Sequence, residues 1–163
     1  MDEFIIWAAG LFDGEGCISI KKPQYHLEVT VTNTYKPALE SFKQRFDGSI
    51  RITGKSSRTD KHASKIPAYQ FAFSYQGAKE FLILALPYLR IKRLEAEIAL
   101  DYISTISNLA SLRGGRLAGR KMTGLERKAR LEFRRQLQAI RKGEVVTPSK
   151  PLVVPQGRLF SEN

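Results

Sequence analysis

The chain has 163 residues, which suffices for one domain with a hydrophobic core and no disulfide bonds. Its one cysteine, Cys17, excludes an intramolecular disulfide, and with only two histidines beside it a zinc finger is excluded as well. The 27 Lys and Arg residues against 16 Asp and Glu residues give a net charge of +11, which favours a phosphate-rich partner such as nucleic acid.

No run of about 18 apolar residues and no basic leader is visible in the sequence. We therefore expect an intracellular protein, in the cytoplasm, the nucleoid or an organelle, that is neither secreted nor membrane-spanning.

The N-terminal third predicts one helix and two strands. Apolar residues from Phe4 to Asp13 leave little polar face and predict a buried helix, which Gly14 and Gly16 end. Apolar and polar residues then alternate over Cys17–Lys22 and His26–Asn33, which is typical of strands with one buried face.

The same order repeats further along the chain. A helix is predicted from Pro37 to Gly48, followed by alternating strands around Ile50 and over residues 69–73. Helices are then predicted over residues 76–86 and 91–112, and a last one begins at a capping box formed by Thr123 and Glu126. We expect a single domain over residues 1–143, with the basic helix at its C-terminal end, and an extended or disordered tail over 144–163.

This order predicts an α+β fold in which two helix-strand-strand units form a four-stranded antiparallel sheet backed by helices. The polar face of such a sheet is able to enter the major groove of double-stranded DNA and read base edges. Arg51 suits guanine and Gln70 suits adenine, whereas basic residues of the long connection between the last two strands suit phosphates. The predicted DNA-binding residues are Ser19, Lys21, His26, Glu28, Thr30, Arg51, Thr53, Lys55, Arg58, Lys61 and Gln70.

The segment Ala8–Gly16, AAGLFDGEG, resembles the motif of the LAGLIDADG homing endonucleases. Phe12 is a hydrophobic substitute in the motif, and Glu15 stands where Asp is common. The identical positions are Gly10, Leu11, Asp13 and Gly16. The stretches VTNT at 31–34 and LPYLRIKRLEAE at 86–97 also look like family sequence, and the predicted element order is that of the family's αββαββα fold.

The resemblance implies hydrolysis of DNA phosphodiesters with Mg²⁺, for which Mn²⁺ substitutes and which Ca²⁺ replaces without supporting cleavage. It implies that Glu15 and the Gly14 carbonyl bind the metal and that Lys92 and Asn33 complete the catalytic site. The plainer interpretations are a surface acid for Glu15, a solvated lysine for Lys92 and a turn-capping asparagine for Asn33.

The motif occurs once, and single-motif members of the family are half-enzymes that pair through this helix. We therefore expect an intron-encoded homodimer acting on a long, pseudo-palindromic site. The predicted interface comprises Trp7, Ala8, Ala9, Gly10, Leu11, Asp13 and Gly14. Three alternatives stay open: a DNA-binding regulator without cleavage, an RNA-binding maturase that acts on intron RNA, and a basic structural protein.

Overall fold

The computed structural model describes residues 2–53, 67–111 and 122–144, with the side chains of 110 and 111 left aside. The predicted order of helices and strands is confirmed. The elements are α1 (Glu3–Glu15), β1 (Gly16–Lys21), β2 (His26–Asn33), α2 (Lys36–Arg45), β3 (Gly48–Thr53), β4 (Ala68–Phe73), α3 (Tyr75–Ala85), α4 (Arg93–Ser111) and α5 (Gly124–Arg141). In these ranges, no helix has the length and apolar character needed to cross a membrane.

The four strands form one antiparallel sheet in the order β1-β2-β4-β3, so β2 and β4 are central and β1 and β3 are edge strands. Gly16 pairs with Val31, and Asn33 pairs with Tyr69. Because β1 begins where β2 ends, Glu15 and Asn33 lie at the same end of the sheet.

The core lies between the sheet and the helices, and Phe42 of α2 is at its centre. Phe42 is fully buried, and its ring lies within 6.0 Å, centroid to centroid, of five other aromatic rings. These rings belong to Phe4, Trp7, Phe71, Phe73 and Phe81. The apolar faces of the strands and of the helices therefore meet in one aromatic cluster, between the sheet and the helices that back it.

The last helix, α5, covers the free edge of β1. Arg134 donates to the carbonyl of Ile20 at 3.1 Å, and Arg141 donates to the carbonyl of Ile18. Arg141 also forms an ion pair with Glu95 in the first turn of α4, at 3.2 Å. An edge strand presents unpaired backbone groups, so these guanidinium groups satisfy carbonyls that no described strand pairs with.

The capping box of α5 is confirmed. The Thr123 hydroxyl accepts from the Glu126 backbone N–H at 3.2 Å, and the Glu126 carboxylate accepts from the Thr123 N–H at 2.8 Å. At the other end of the helix, Gly143 adopts a positive φ of 73°, a conformation that favours glycine after a helix. The predicted tail lies beyond this point, and residues 145–163 are outside the described part of the chain.

Candidate metal and DNA-binding site

The junction between α1 and β1 is very tight. Helix α1 runs through Gly14 to Glu15, so only Gly16 marks its end, and the helix is two residues longer at this end than the sequence predicts. A Cβ atom on Gly16 would lie 2.4 Å from the Phe12 carbonyl oxygen and 2.5 Å from its ring. Glycine is therefore required here by close approach, and it lets the strand follow the helix without a loop.

Asp13 and Lys92 tie the end of α1 to the start of α4. The Asp13 carboxylate accepts from the backbone N–H of Arg90 at 2.7 Å and of Lys92 at 2.9 Å. In return, the Lys92 ammonium donates to the Asp13 carbonyl at 2.9 Å. Each residue thus satisfies backbone groups that the other helix end leaves unpaired, and we call this pair the Asp13–Lys92 joint.

The electrostatics of the joint favour a charged Asp13. Partial burial by itself raises the pKa of the Asp13 carboxyl. The backbone N–H groups of residues 90–92 and the positive charge of Lys92 outweigh this effect and hold the pKa below its ordinary value. This carboxylate is occupied within the subunit, so Asp13 has a structural role.

Glu15 lies two residues further on, and its surroundings differ from those of Asp13. Its side chain is exposed, and no group in the described ranges forms a hydrogen bond or ion pair with it. Gly14 is also exposed, and its α-carbon faces open space. An oxygen donor set of one carboxylate and one carbonyl suits Mg²⁺, which keeps several waters and takes further ligands from substrate phosphates.

The described residues do not by themselves supply a complete metal site. In the part of the chain that the structure describes, no three His, Cys, Asp or Glu side chains cluster as metal ligands. The donors at Glu15 and Gly14 therefore fit a site that a phosphate, or a second copy of the chain, completes.

Lys92 and Asn33 are both engaged in local contacts. Lys92 is half-buried and uses one of its three ammonium donors on Asp13. The Oδ1 of Asn33 accepts from the Tyr35 backbone N–H at 2.8 Å, which turns the chain from β2 into α2. The Asn33 side-chain oxygen thus caps the turn, as the plainer interpretation has it. The amide N–H₂ group of Asn33 has no partner among the described residues.

The residues predicted to form the interface lie on two different sides of α1. Ala8 and Ala9 are fully buried in their own subunit because they lie on the core side of the helix, and Leu11 packs against the core. The outer face instead presents Ile6, Trp7, Gly10 and Gly14, with Ile6 and Trp7 38% and 43% exposed. Ile6 is not among the predicted interface residues, but it shares the outer face with Trp7. Helical spacing is the only feature of the sequence that indicates this position of Ile6.

The polar face of the sheet has fewer exposed residues than the alternation of the strands predicts. Ser19 and Thr30 are buried, so they are wrong as exposed base-contacting residues. Both are short side chains within the sheet, where Glu28 flanks Ser19 and Cys17 and Ala72 flank Thr30 on neighbouring strands.

The other predicted contacts fall into three groups. Lys21 and His26 are exposed, and the Thr53 hydroxyl donates to the Ala68 carbonyl at 3.3 Å. Glu28, Arg51 and Gln70 contact one another on the polar face. Lys55, Arg58 and Lys61 lie outside the described residues.

Thr32, which is not among the predicted DNA-binding residues, joins the set of Glu28, Arg51 and Gln70. The Thr32 hydroxyl accepts from the Gln70 amide at 3.1 Å. The alternation of β2, which places Thr32 on the same face as Glu28, is the signal that would have included it.

Comparison with solved structures identifies the fold. The chain is similar to the LAGLIDADG meganuclease I-AabMI bound to uncleaved DNA, with a TM-score of 0.60 and 17% identity, covering 88% of this chain and 50% of that one. The fold is therefore that of a LAGLIDADG meganuclease, which confirms the fold class that the AAGLFDGEG motif implies. The chain spans about half the length of I-AabMI.

Two further similarities are weaker. The homing endonuclease I-CvuI in complex with its target in the presence of Ca is 23% identical, with a TM-score of 0.48 and coverage of 87% and 96% of the two chains. An archaeal intron-encoded homing endonuclease complexed with DNA is 14% identical, with a TM-score of 0.47 and coverage of 79% and 95%. No family sequence model matches the chain, and no curated protein matches it in sequence.

Proposed function

We propose that the chain is a LAGLIDADG homing endonuclease, a divalent-metal-dependent enzyme that cuts both strands of DNA at a specific site as a homodimer. The observation that carries the proposal is the Glu15 carboxylate at the junction between α1 and β1. It is exposed and unpaired among the described residues. The net charge of +11 and the meganuclease fold support a DNA substrate.

The chemistry of the site follows from its donors. Mg²⁺ held by Glu15 and the Gly14 carbonyl would offset the charge of the attacked phosphate and lower the pKa of a bound water. Lys92 keeps two ammonium donors, and its tie to Asp13 holds them beside the same helix end to stabilise negative charge. The Asn33 amide, at the same end of the sheet, is able to orient a water molecule.

The outer face of α1 supports the homodimer. Gly10 and Gly14 are four residues apart, and a Cβ atom at either position would meet none of the described residues within 4 Å. Glycine inside a helix costs about 1 kcal/mol relative to alanine, so the subunit gains nothing from these two residues. A second helix approaching closely along this face explains them, and it would bring two Glu15 side chains to one axis.

The length comparison agrees with two copies. This chain covers 50% of I-AabMI, the share expected if two copies of it correspond to one longer chain. Two-fold symmetry then requires a target that is nearly palindromic, with one polar sheet face over each half-site.

Cleavage of a randomised duplex library tests the proposal. The wild type is incubated with Mg²⁺ beside Glu15→Gln, which removes the charge without changing the size of the side chain. Glu97→Gln, on the exposed side of α4, serves as the control for loss of one acid. We expect cleavage by the wild type and the Glu97→Gln variant and none by Glu15→Gln. Equal cleavage by all three, or binding without cleavage by any, would contradict the proposal.

A further inference from the structure

Five polar side chains on the sheet face form a connected network that spans all four strands. We call Lys21, Glu28, Thr32, Arg51 and Gln70 the Arg51 network. Arg51 Nε donates to Gln70 Oε1 at 2.8 Å, and Arg51 Nη2 donates to the same oxygen and to Glu28 Oε1 at 3.1 Å. Lys21 Nζ lies 3.3 Å from Glu28 Oε2, and Gln70 Nε2 donates to Thr32 Oγ1 at 3.1 Å.

The side-chain oxygen of Gln70 has no free lone pair in this arrangement. A glutamine that reads adenine must accept from N6 and donate to N7. Both lone pairs of Gln70 Oε1 are taken by Arg51, and one of the two amide hydrogens is taken by Thr32. The sequence-based assignment of Gln70 to adenine therefore does not match its contacts.

Glu28 is occupied in the same way. Its two carboxylate oxygens face Arg51 and Lys21, and its side chain is 23% exposed against 54% for Arg51. Burial alone raises the pKa of Glu28, but the hydrogen bonds and charges of Arg51 and Lys21 lower it, so the carboxylate stays charged. Two cations and one anion leave this part of the face with a net charge of +1, which suits DNA.

Among the described residues, Arg51 keeps two N–H donors that face no partner in the network. A guanidinium group has five N–H donors, and three of them are directed to Gln70 and Glu28. Both hydrogens of Nη1 remain, on an exposed group whose plane is fixed along one edge. In the major groove, guanine presents two acceptors, O6 and N7, whereas adenine pairs its acceptor with a donor.

We propose that Arg51 reads a guanine in each half-site and that Gln70 and Glu28 are positioning residues that orient Arg51 without touching the base. The inference rests on the proposed binding of DNA. Fixing the guanidinium before binding also removes the entropy cost of ordering a long side chain on the DNA.

Selection from a randomised duplex library, without cleavage, tests the inference through base preference at each position. Bound DNA is sequenced for the wild type, Arg51→Lys, Gln70→Ala and Gln70→Glu, with melting curves to show that each variant folds. Arg135→Lys, an exposed arginine on α5, is the matched control. We expect a guanine preference in the wild type that Arg51→Lys and Gln70→Ala reduce about 10-fold at that position alone.

Gln70→Glu separates positioning from direct reading. It keeps an acceptor for Arg51 and loses the amide donor, so we expect it to retain the guanine preference. If Gln70→Ala or Gln70→Glu instead abolishes an adenine preference at another position, Gln70 reads DNA itself and the inference is wrong. Specific binding with a base pattern unchanged in Arg51→Lys also refutes it, whereas a wild type without any base preference refutes the proposed function as well.

Discussion

The two acids of the motif, Asp13 and Glu15, are only two residues apart, yet the structure gives them opposite roles. Asp13→Asn removes the charge from the Asp13–Lys92 joint while keeping the shape of the side chain. The asparagine oxygen is able to keep one backbone N–H bond, but its amide N–H₂ group then faces a second backbone donor. We therefore expect the joint to weaken without any change in the exposed carboxylate of Glu15.

The size of the effect follows from the hydrogen bonds that are lost. A hydrogen bond to a charged group contributes about 1.5–3 kcal/mol, and water reaches the exposed Arg90 side of the joint. We expect Asp13→Asn to lower the free energy of unfolding by about 2 kcal/mol at pH 7. For a chain of this length, that corresponds to a melting temperature lower by about 4–8 °C.

The pH dependence has a definite sign. The pKa of Asp13 is depressed in the folded protein, so its contribution is complete above the ordinary value of 3.8 and is lost as the pH falls through the folded-state pKa. Urea unfolding of the wild type and Asp13→Asn should therefore differ most at neutral pH and converge in acid. Glu15→Gln is the control, because a substitution at an exposed site without contacts changes stability by less than about 0.5 kcal/mol.

The reasoning would be refuted by the opposite pattern. If Asp13→Asn unfolds like the wild type at pH 7, or if the difference between them grows as the pH falls, the joint does not hold the two helices. A loss of stability in Glu15→Gln equal to that in Asp13→Asn would show that Glu15 also has a structural contact.

Three further predictions concern the helix face, the core and the sheet edge. Gly10→Leu should stabilise the subunit by about 1 kcal/mol, since the side chain meets open space and leucine favours helices, but it should weaken the dimer. Sedimentation of the wild type and the variant measures the weakening of the dimer, and an unchanged dimer would place the interface elsewhere. Phe42→Ala should cost about 3–5 kcal/mol in urea unfolding because it opens a cavity among aromatic rings, and a cost below 1 kcal/mol would contradict the packing. Arg141→Ala should lower the melting temperature more than Arg135→Ala, since only Arg141 contacts β1 and Glu95; equal melting temperatures in the two variants would show that the edge contact contributes nothing.

The sequence predicts what depends on neighbours along the chain. The strand β2, the helix α2 and the capping box at Thr123 all depend on residues within a few positions of one another, and the structure confirms these three elements. The motif also implies the fold class, through its resemblance to the LAGLIDADG family, and the structure confirms that class.

Contacts between distant residues were not predictable in this way. Asp13 reaches residue 92, and Arg141 reaches residue 18, through the packing of complete elements. The burial of Ser19 and Thr30 depends on their neighbours across the sheet, and the occupied Gln70 amide depends on side chains from three strands. A period of two gives the face on which a side chain lies, but it does not tell which side chains bind one another.

The closure of the β1 edge by α5 also bears on how the chain is made. Ile18 is synthesised 123 residues before Arg141, whose side chain caps its carbonyl. During translation, β1 therefore emerges early and its outer edge stays uncovered until the last helix has left the ribosome. An uncovered edge strand is a template for pairing with other chains, so nascent chains and fragments that end before α5 are the forms of this protein most exposed to aggregation.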